Sequence, residues 1–110
     1  MAAAYVNLYM EQGTTFSTTI TIDDVYGNAY NLYGYSANSQ IRKSYYSTNA
    51  TATFSTSIDN ELSTITLSLT NIQTANISPG RYVYDTKIRA NNVTTRILEG
   101  VVDVSPSVTK

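Results

Sequence analysis

Histidine, cysteine and tryptophan are absent from these 110 residues, proline occurs twice and glycine five times. Without cysteine there is no disulfide framework, no thiol nucleophile and no cysteine-based zinc site. Without histidine, the side chain most often used for proton transfer near neutral pH is missing. Charge is scarce and balanced, with seven Lys and Arg against eight Asp and Glu for a net charge of -1. The cationic surplus that drives nucleic-acid binding through counterion release is therefore lacking. No apolar run approaches the roughly 20 residues that span a bilayer. The start, Met1-Ala2-Ala3-Ala4, carries no basic residue and passes straight into patterned sequence, unlike a signal peptide. The expectation is one soluble domain over residues 1–110, with no cofactor, no metal, and neither nucleic acid nor membrane among its partners.

What the chain has instead is alternation. Serine and threonine interleave with single apolar residues over short segments bounded by Asn, Gly and Pro, the pattern of half-buried antiparallel strands. Val6, Leu8 and Met10 share one face of a first strand and Tyr5 and Tyr9 the other. Phe16, Thr18, Ile20 and Ile22 face the core of a second, which ends in a turn at Asp24-Val25-Tyr26-Gly27-Asn28. A third spans Tyr35 to Tyr45 with Ala37, Ser39 and Ile41 inward, and a fourth spans Thr51 to Ile58 with Ala52, Phe54, Thr56 and Ile58 inward. Ile65, Leu67 and Leu69 mark a fifth.

The period breaks at residues 70–77, where Ile72 and Ala75 fit one helical turn capped by Thr70 or Asn71, a link between two sheets. Ser78-Pro79-Gly80 turns the chain into Arg81 to Ala90, with Tyr82, Tyr84, Thr86 and Ile88 on one face. Asn91-Asn92 fits a two-residue hairpin, because Asn tolerates the positive φ of a type I′ turn. In the last strand Ile97 falls on one parity and Leu98, Val102 and Val104 on the other, which predicts a bulge or bend near Gly100. About seven strands at roughly ten-residue spacing, without a long helix, predict an all-β, immunoglobulin-like antiparallel β-sandwich.

Catalytic chemistry has little to draw on. Asp85 lies mid-strand on the same parity as Lys87 and Arg89, where cross-strand ion pairing is the ordinary reading. Asp23-Asp24 and Asp59-Asn60-Glu61 carry oxygens that suit calcium, yet Asx residues stabilising turns explain them better. The chain reads as non-enzymatic. Ten tyrosines against two phenylalanines favour half-exposed rings with a polar tip, positions suited to docking or to the outer faces of sheets. Tyr5, Tyr9, Tyr45 and Tyr46, with Arg42 as a polar partner, are the candidate protein-interface residues. The segments Thr14 to Thr21 and Thr51 to Ser57 have no guarding charge and are open, as sheet edges, to pairing with another chain.

Specific stretches look familiar: Gln12-Gly13-Thr14-Thr15-Phe16, Ile22-Asp23-Asp24-Val25-Tyr26-Gly27-Asn28, Leu32-Tyr33-Gly34-Tyr35, Pro79-Gly80-Arg81-Tyr82-Val83-Tyr84-Asp85 and Glu99-Gly100-Val101-Val102. Together they resemble small structural proteins of tailed bacteriophages. They are similar to the immunoglobulin-like N-terminal domain of phage upper-baseplate proteins and to short virion proteins of cyanophage-like myoviruses. The resemblance covers Glu11 to Val104 and implies a virion location, a tail or baseplate adaptor present in multiple copies, other virion proteins and copies of itself as partners, and no catalytic residues. A capsid decoration protein is the first alternative and a carbohydrate-binding module the second.

Overall fold

A computed structural model describes residues 4–23, 27–28 and 30–109 and turns the alternating segments into nine strand segments and one short helix. They are β1 (Ala4–Tyr5), β2 (Leu8–Glu11), β3 (Phe16–Thr21), β4 (Ser36–Arg42), β5 (Ala52–Thr53), β6 (Ser55–Asp59), β7 (Thr64–Leu69), α1 (Asn71–Ala75), β8 (Gly80–Ala90) and β9 (Val93–Ser105). β1 and β2 keep one register against β9, and β5 and β6 are one strand interrupted at Phe54. Seven strand lines result, the number that the spacing predicts. The turn expected at Asp24-Val25-Tyr26-Gly27-Asn28 lies partly outside the described residues, at 24–26.

The larger sheet runs β1-β9-β8-β4-β5, with β2 continuing β1 along β9, and the smaller runs β3-β7-β6. This is the sandwich the alternation predicts. In immunoglobulin lettering, B, E and D form the small sheet, and G, F and C, extended by C′, form the large one. One edge departs from antiparallel pairing: β1 and β2 run parallel to β9, through Ala4↔Leu98 and Leu8↔Val102. The reason is the corner at Gln12. Both β2 and β9 run towards it, and the Gln12 amide donates to the Ser105 carbonyl at 2.9 Å.

Alternation decides which side chains meet between the sheets. Ile65, Leu67 and Leu69 of the central β7 face Ile41, Tyr84, Ile88, Leu98 and Val102 from the large sheet, all essentially without exposed surface. Inward polar residues are paired: the Ser39 hydroxyl donates to the Asp85 carbonyl at 2.8 Å and lies 2.9 Å from that of Thr86. No buried side-chain nitrogen or oxygen among the described residues lacks a partner.

The break at residues 70–77 is the expected helical turn. Thr70 caps it, its hydroxyl accepting from the Gln73 amide while the Gln73 side chain accepts from the Thr70 amide. Its buried residue is Thr74, whereas Ile72 and Ala75 are exposed. The Thr74 hydroxyl donates to the Thr14 carbonyl at 2.7 Å and accepts from the Gly13 amide, which locks the helix against the β2–β3 corner. The Asn91-Asn92 hairpin forms with φ of 51° and 64°. The bulge lies three residues before Gly100. Thr86 pairs with Leu98 and Lys87 with Arg96, so Ile97 is the extra residue and both Ile97 and Leu98 are buried.

Gly100 has a different task. A Cβ there would overlap the carbonyl oxygen of Val6 and lie 2.8 Å from its carbonyl carbon. The bare glycine lets the N-terminal strand dip at Val6, between β1 and β2, where the Val6 carbonyl accepts a 2.7 Å hydrogen bond from the Tyr84 hydroxyl. The Asn7 side chain accepts from the Val101 amide beside the break.

Gly100→Ala is expected to lower stability by about 2–3 kcal/mol, by overpacking at a backbone carbonyl. Tyr84→Phe should cost about 1–3 kcal/mol, because the Val6 carbonyl loses its donor. Denaturant titration of each variant measures both. Burial pushes the Tyr84 phenol up from 10.0 to about 12. The unfolded chain then ionises first as pH rises, so this stabilisation is complete below pH 10 and is lost between pH 10 and about 12. The same titration repeated across that range should show a shallower alkaline loss for Tyr84→Phe.

Candidate functional site: the outer face of the large sheet

Strand parity places the outward residues of β1, β2, β9, β8 and β4 on one surface. Tyr5 pairs with Glu99, which pairs with Asp85, which pairs with Gln40. Further along, Tyr9 pairs with Asp103 and Asp103 with Arg81. Tyr5 and Tyr9 are 61% and 71% exposed, and they stand four residues apart on the edge, roughly 13 Å at strand rise.

On the far side of this surface β4 ends at Arg42. The structure gives that residue a specific local duty: its guanidinium donates to the Ser47 carbonyl at 3.0 Å and to the Gln40 side chain at 2.8 Å. It thereby braces the turn that carries Tyr45 and Tyr46, which are 55% and 94% exposed. Tyr45 borders a shallow depression of about 210 Å³ with Gln40, Arg42, Val83, Asp85 and Arg96. Tyr5, Tyr9, Arg42 and Tyr45 thus share one face, with Tyr46 at its margin. About 14 Å, three strand spacings, separates the tyrosine edge from β4.

Between the two pairs of rings lies a strip of charges that sequence reading did not assemble. Asp85 and Glu99 are directly opposite each other on β8 and β9, a repulsive arrangement by itself. Arg96 relieves it, with nitrogens 3.2 Å from Asp85 and 3.6 Å from Glu99. The Ile97 bulge is what turns Arg96 outward beside them. Asp85 does form the expected cross-strand pair, with Arg96 of β9. Arg81 pairs with Asp103 at 3.1 Å. All three contacts are partly exposed, so they order the face more than they stabilise the fold. Half-buried Val83 and Val101 add an apolar row to the strip, a feature lost in sequence among their charged neighbours.

Other candidate groups resolve locally. Asp59 accepts from the amides of Glu61 and Leu62, at 3.0 and 3.2 Å, and so stabilises its own turn. Of the Asp23-Asp24 pair, Asp24 lies outside the described residues. Tyr30 and Tyr35 pack 6.2 Å apart, and the hydrogen bond to Tyr35, with burial, raises the phenol of Tyr30 above its usual range.

No protein-family model matches this chain, and no curated protein matches it in sequence. Its fold is widespread, with 270 solved chains matching, a breadth that marks an architecture and not a function. One of them is InlP of Listeria monocytogenes, at a TM-score of 0.51 and 15% identity over 94% of this chain. The chain spans 28% of InlP, and the likeness is one of fold.

Arg96→Ala should leave Asp85 and Glu99 opposed and lower stability by about 1 kcal/mol. Adding Asp85→Asn should restore part of that loss, and chemical denaturation of the two variants at low salt would show whether the coupling exists.

Proposed function

We propose that this chain is a non-enzymatic structural protein of a tailed-phage virion, docking in multiple copies on the tail or baseplate through the outer face of its larger sheet. The observation that carries the reading is that face: exposed tyrosines at both margins, an ion-paired strip between them, and an apolar row at its centre. Aromatic rings anchor protein interfaces because they bury much area at little conformational cost, and fixed ion pairs define register. The phage assignment draws on the sequence resemblance, and the partners are accordingly other virion proteins.

The carboxylates fit a structural role better than a catalytic one. Asp85 and Glu99 are held by Arg96 and Asp103 by Arg81, each on an open sheet face and not in a closed cleft.

Tyr45→Ser combined with Tyr46→Ser should leave the melting temperature nearly unchanged, since both rings are exposed, and reduce incorporation into particles at least tenfold. Copy number by quantitative mass spectrometry of separated heads and tails is the accompanying measurement. Low copy number in tails supports the adaptor. Hundreds of copies on heads would make the chain a capsid decoration protein, and absence from both would leave carbohydrate binding as the reading to pursue.

A further inference from the structure

The basic residues are unevenly placed along the chain: none precedes Arg42, and none lies between Lys43 and Arg81. Most are engaged internally. Arg42 braces its turn, the Lys43 ammonium sits 4.6 Å from the centre of the Tyr82 ring, and Arg81 and Arg96 hold the outward carboxylates. Lys110 lies outside the described residues. Lys87 and Arg89 remain. Among the described residues the Lys87 side chain has no partner, and that of Arg89 has only the uncharged Asn92, at 3.4 Å. Lys87 also stands directly opposite Arg96 across β8 and β9, like charge against like. Both remaining cations are exposed on the outward face of β8, two residues and roughly 7 Å apart at strand rise. They line a depression of about 510 Å³ with the hydroxyl and amide groups of Ser36, Asn38 and Thr94, and with Asp85, which Arg96 already holds.

The acids show the complementary imbalance. Asp59 and Glu61 belong to the β6–β7 turn, and the Ile22 amide, bonded to the Ser63 carbonyl, brings Asp23 to the same place. All three are exposed, and β3, β6, β7 and the turn contain no base. The turn is already ordered, because Oδ1 of Asp59 accepts from the amides of Glu61 and Leu62. Oδ2 of Asp59 and the Glu61 carboxylate have no partner among the described residues.

One chain cannot set these charges against each other. The Phe54 amide donates to the Ser39 carbonyl at 2.9 Å and the Thr56 hydroxyl to the Ala37 carbonyl at 3.1 Å, so β6 runs towards the Ser36 end of β4, and Ser36 pairs with Arg89. These bonds also engage much of Thr51 to Ser57, a stretch whose sequence leaves it open to pairing. The acidic turn and the basic pair therefore stand at one end of the sandwich. Lys87 and Arg89 project from the outer side of the large sheet, however, away from the small sheet that carries the turn.

From this complementarity we infer that the depression at Lys87 and Arg89 receives the β6–β7 turn of a second copy of the chain, with Asp59 and Glu61 pairing with the two cations. Two carboxylates two residues apart face two cations two residues apart, and the pre-ordered turn loses little freedom on docking. Nucleic acid fits the place less well, since Asp85 lines the same depression and Glu99 stands opposite Asp85. The contact is head-to-tail, using a different surface on each copy, so it joins copies into a ring or a row. Exposed ion pairs contribute little each; the contact is weak between free chains and strengthens where a common support holds copies side by side.

The test is self-association of the full ¹⁵N-labelled chain at low salt, up to millimolar concentration. Concentration-dependent shifts are expected at two separate places, Asn38, Lys87, Arg89 and Thr94 on one side and Asp59 to Leu62 on the other, and they should vanish at high salt. Reversing the face, by Lys87→Glu with Arg89→Glu, or the turn, by Glu61→Lys, should each weaken association roughly tenfold with the thermal midpoint little changed. Glu11→Lys, an equal change of charge at the opposite end of the large sheet, should associate like the parent chain. Mixing the two reversed chains leaves one intact face and one intact turn, so sedimentation should show a mixed dimer and nothing larger. No shifts at millimolar concentration, shifts at only one of the two places, undiminished association of Glu61→Lys, or failure of the mixture to pair would each overturn the inference. The readout is made on the isolated chain and stands apart from the virion reading.

Discussion

The N-terminal strand is seated on the last strand by parallel backbone pairing and, where that pairing dips at Val6, by the hydrogen bond from the buried Tyr84 phenol to the Val6 carbonyl across the bare backbone of Gly100. Two consequences follow from it. With β1 and β2 docked parallel on β9, the larger sheet gains the outward Tyr5 and Tyr9 and becomes the broad face on which the exposed rings assemble. Among the described residues the smaller sheet is left with three strands, and nothing pairs with the outer edge of β3. The candidate docking face and the unguarded edge thus share a single cause, the choice of sheet made by the first strand.

Charge is divided between the sheets just as unevenly. The strands of the small sheet carry one ionisable acid, Asp59, and no base, while those of the large sheet carry Arg42, Arg81, Lys87, Arg89 and Arg96 with Glu11, Asp85, Glu99 and Asp103. The outer face of the small sheet is a grid of hydroxyls: Ser17, Ser68 and Ser55 in one row, Thr19, Thr66 and Ser57 in the next. Such a surface interacts with water evenly and has little power to select a partner. The large sheet holds the shape, rings and fixed ion pairs that confer selectivity.

Much of this was legible in the alternation, because a period of two fixes which side chains share a face. Ala37, Ser39 and Ile41 point inward as read, the Asn91-Asn92 hairpin forms, and Thr70 caps a helical turn. What alternation cannot express is which strand lies beside which. The parallel seating of β1 and β2, the crossing at Phe54 and the place of Arg96 between Asp85 and Glu99 are facts of pairing, and a period of two is blind to them. Gly100 was read as a bend because a glycine in a strand permits either a bend or a close approach; only the Val6 carbonyl opposite it decides. The candidate tyrosines were found by their clustering in sequence, whereas Val83 and Val101 were hidden by their parity with charged neighbours.

The abundance of tyrosine in a chain without cysteine then has a structural explanation beyond strand propensity. The Tyr82 hydroxyl donates back to the Ser78 carbonyl at 2.7 Å, the tyrosine corner of immunoglobulin domains, which there stands two residues before the second cysteine of the inter-sheet disulfide. Two residues after Tyr82 stands Tyr84. Its ring packs edge-on against Phe54, with centroids 6.2 Å apart, while its hydroxyl holds the N-terminal strand. A phenylalanine would supply the ring without the hydrogen bond; tyrosine supplies both in one side chain. The same residue type serves exposed at Tyr5, Tyr9, Tyr45 and Tyr46, where the ring is open to a partner and the hydroxyl stays in water. Burial, set by strand parity in the sheets and by the turn at Tyr45 and Tyr46, decides which of the two tasks each of these tyrosines performs.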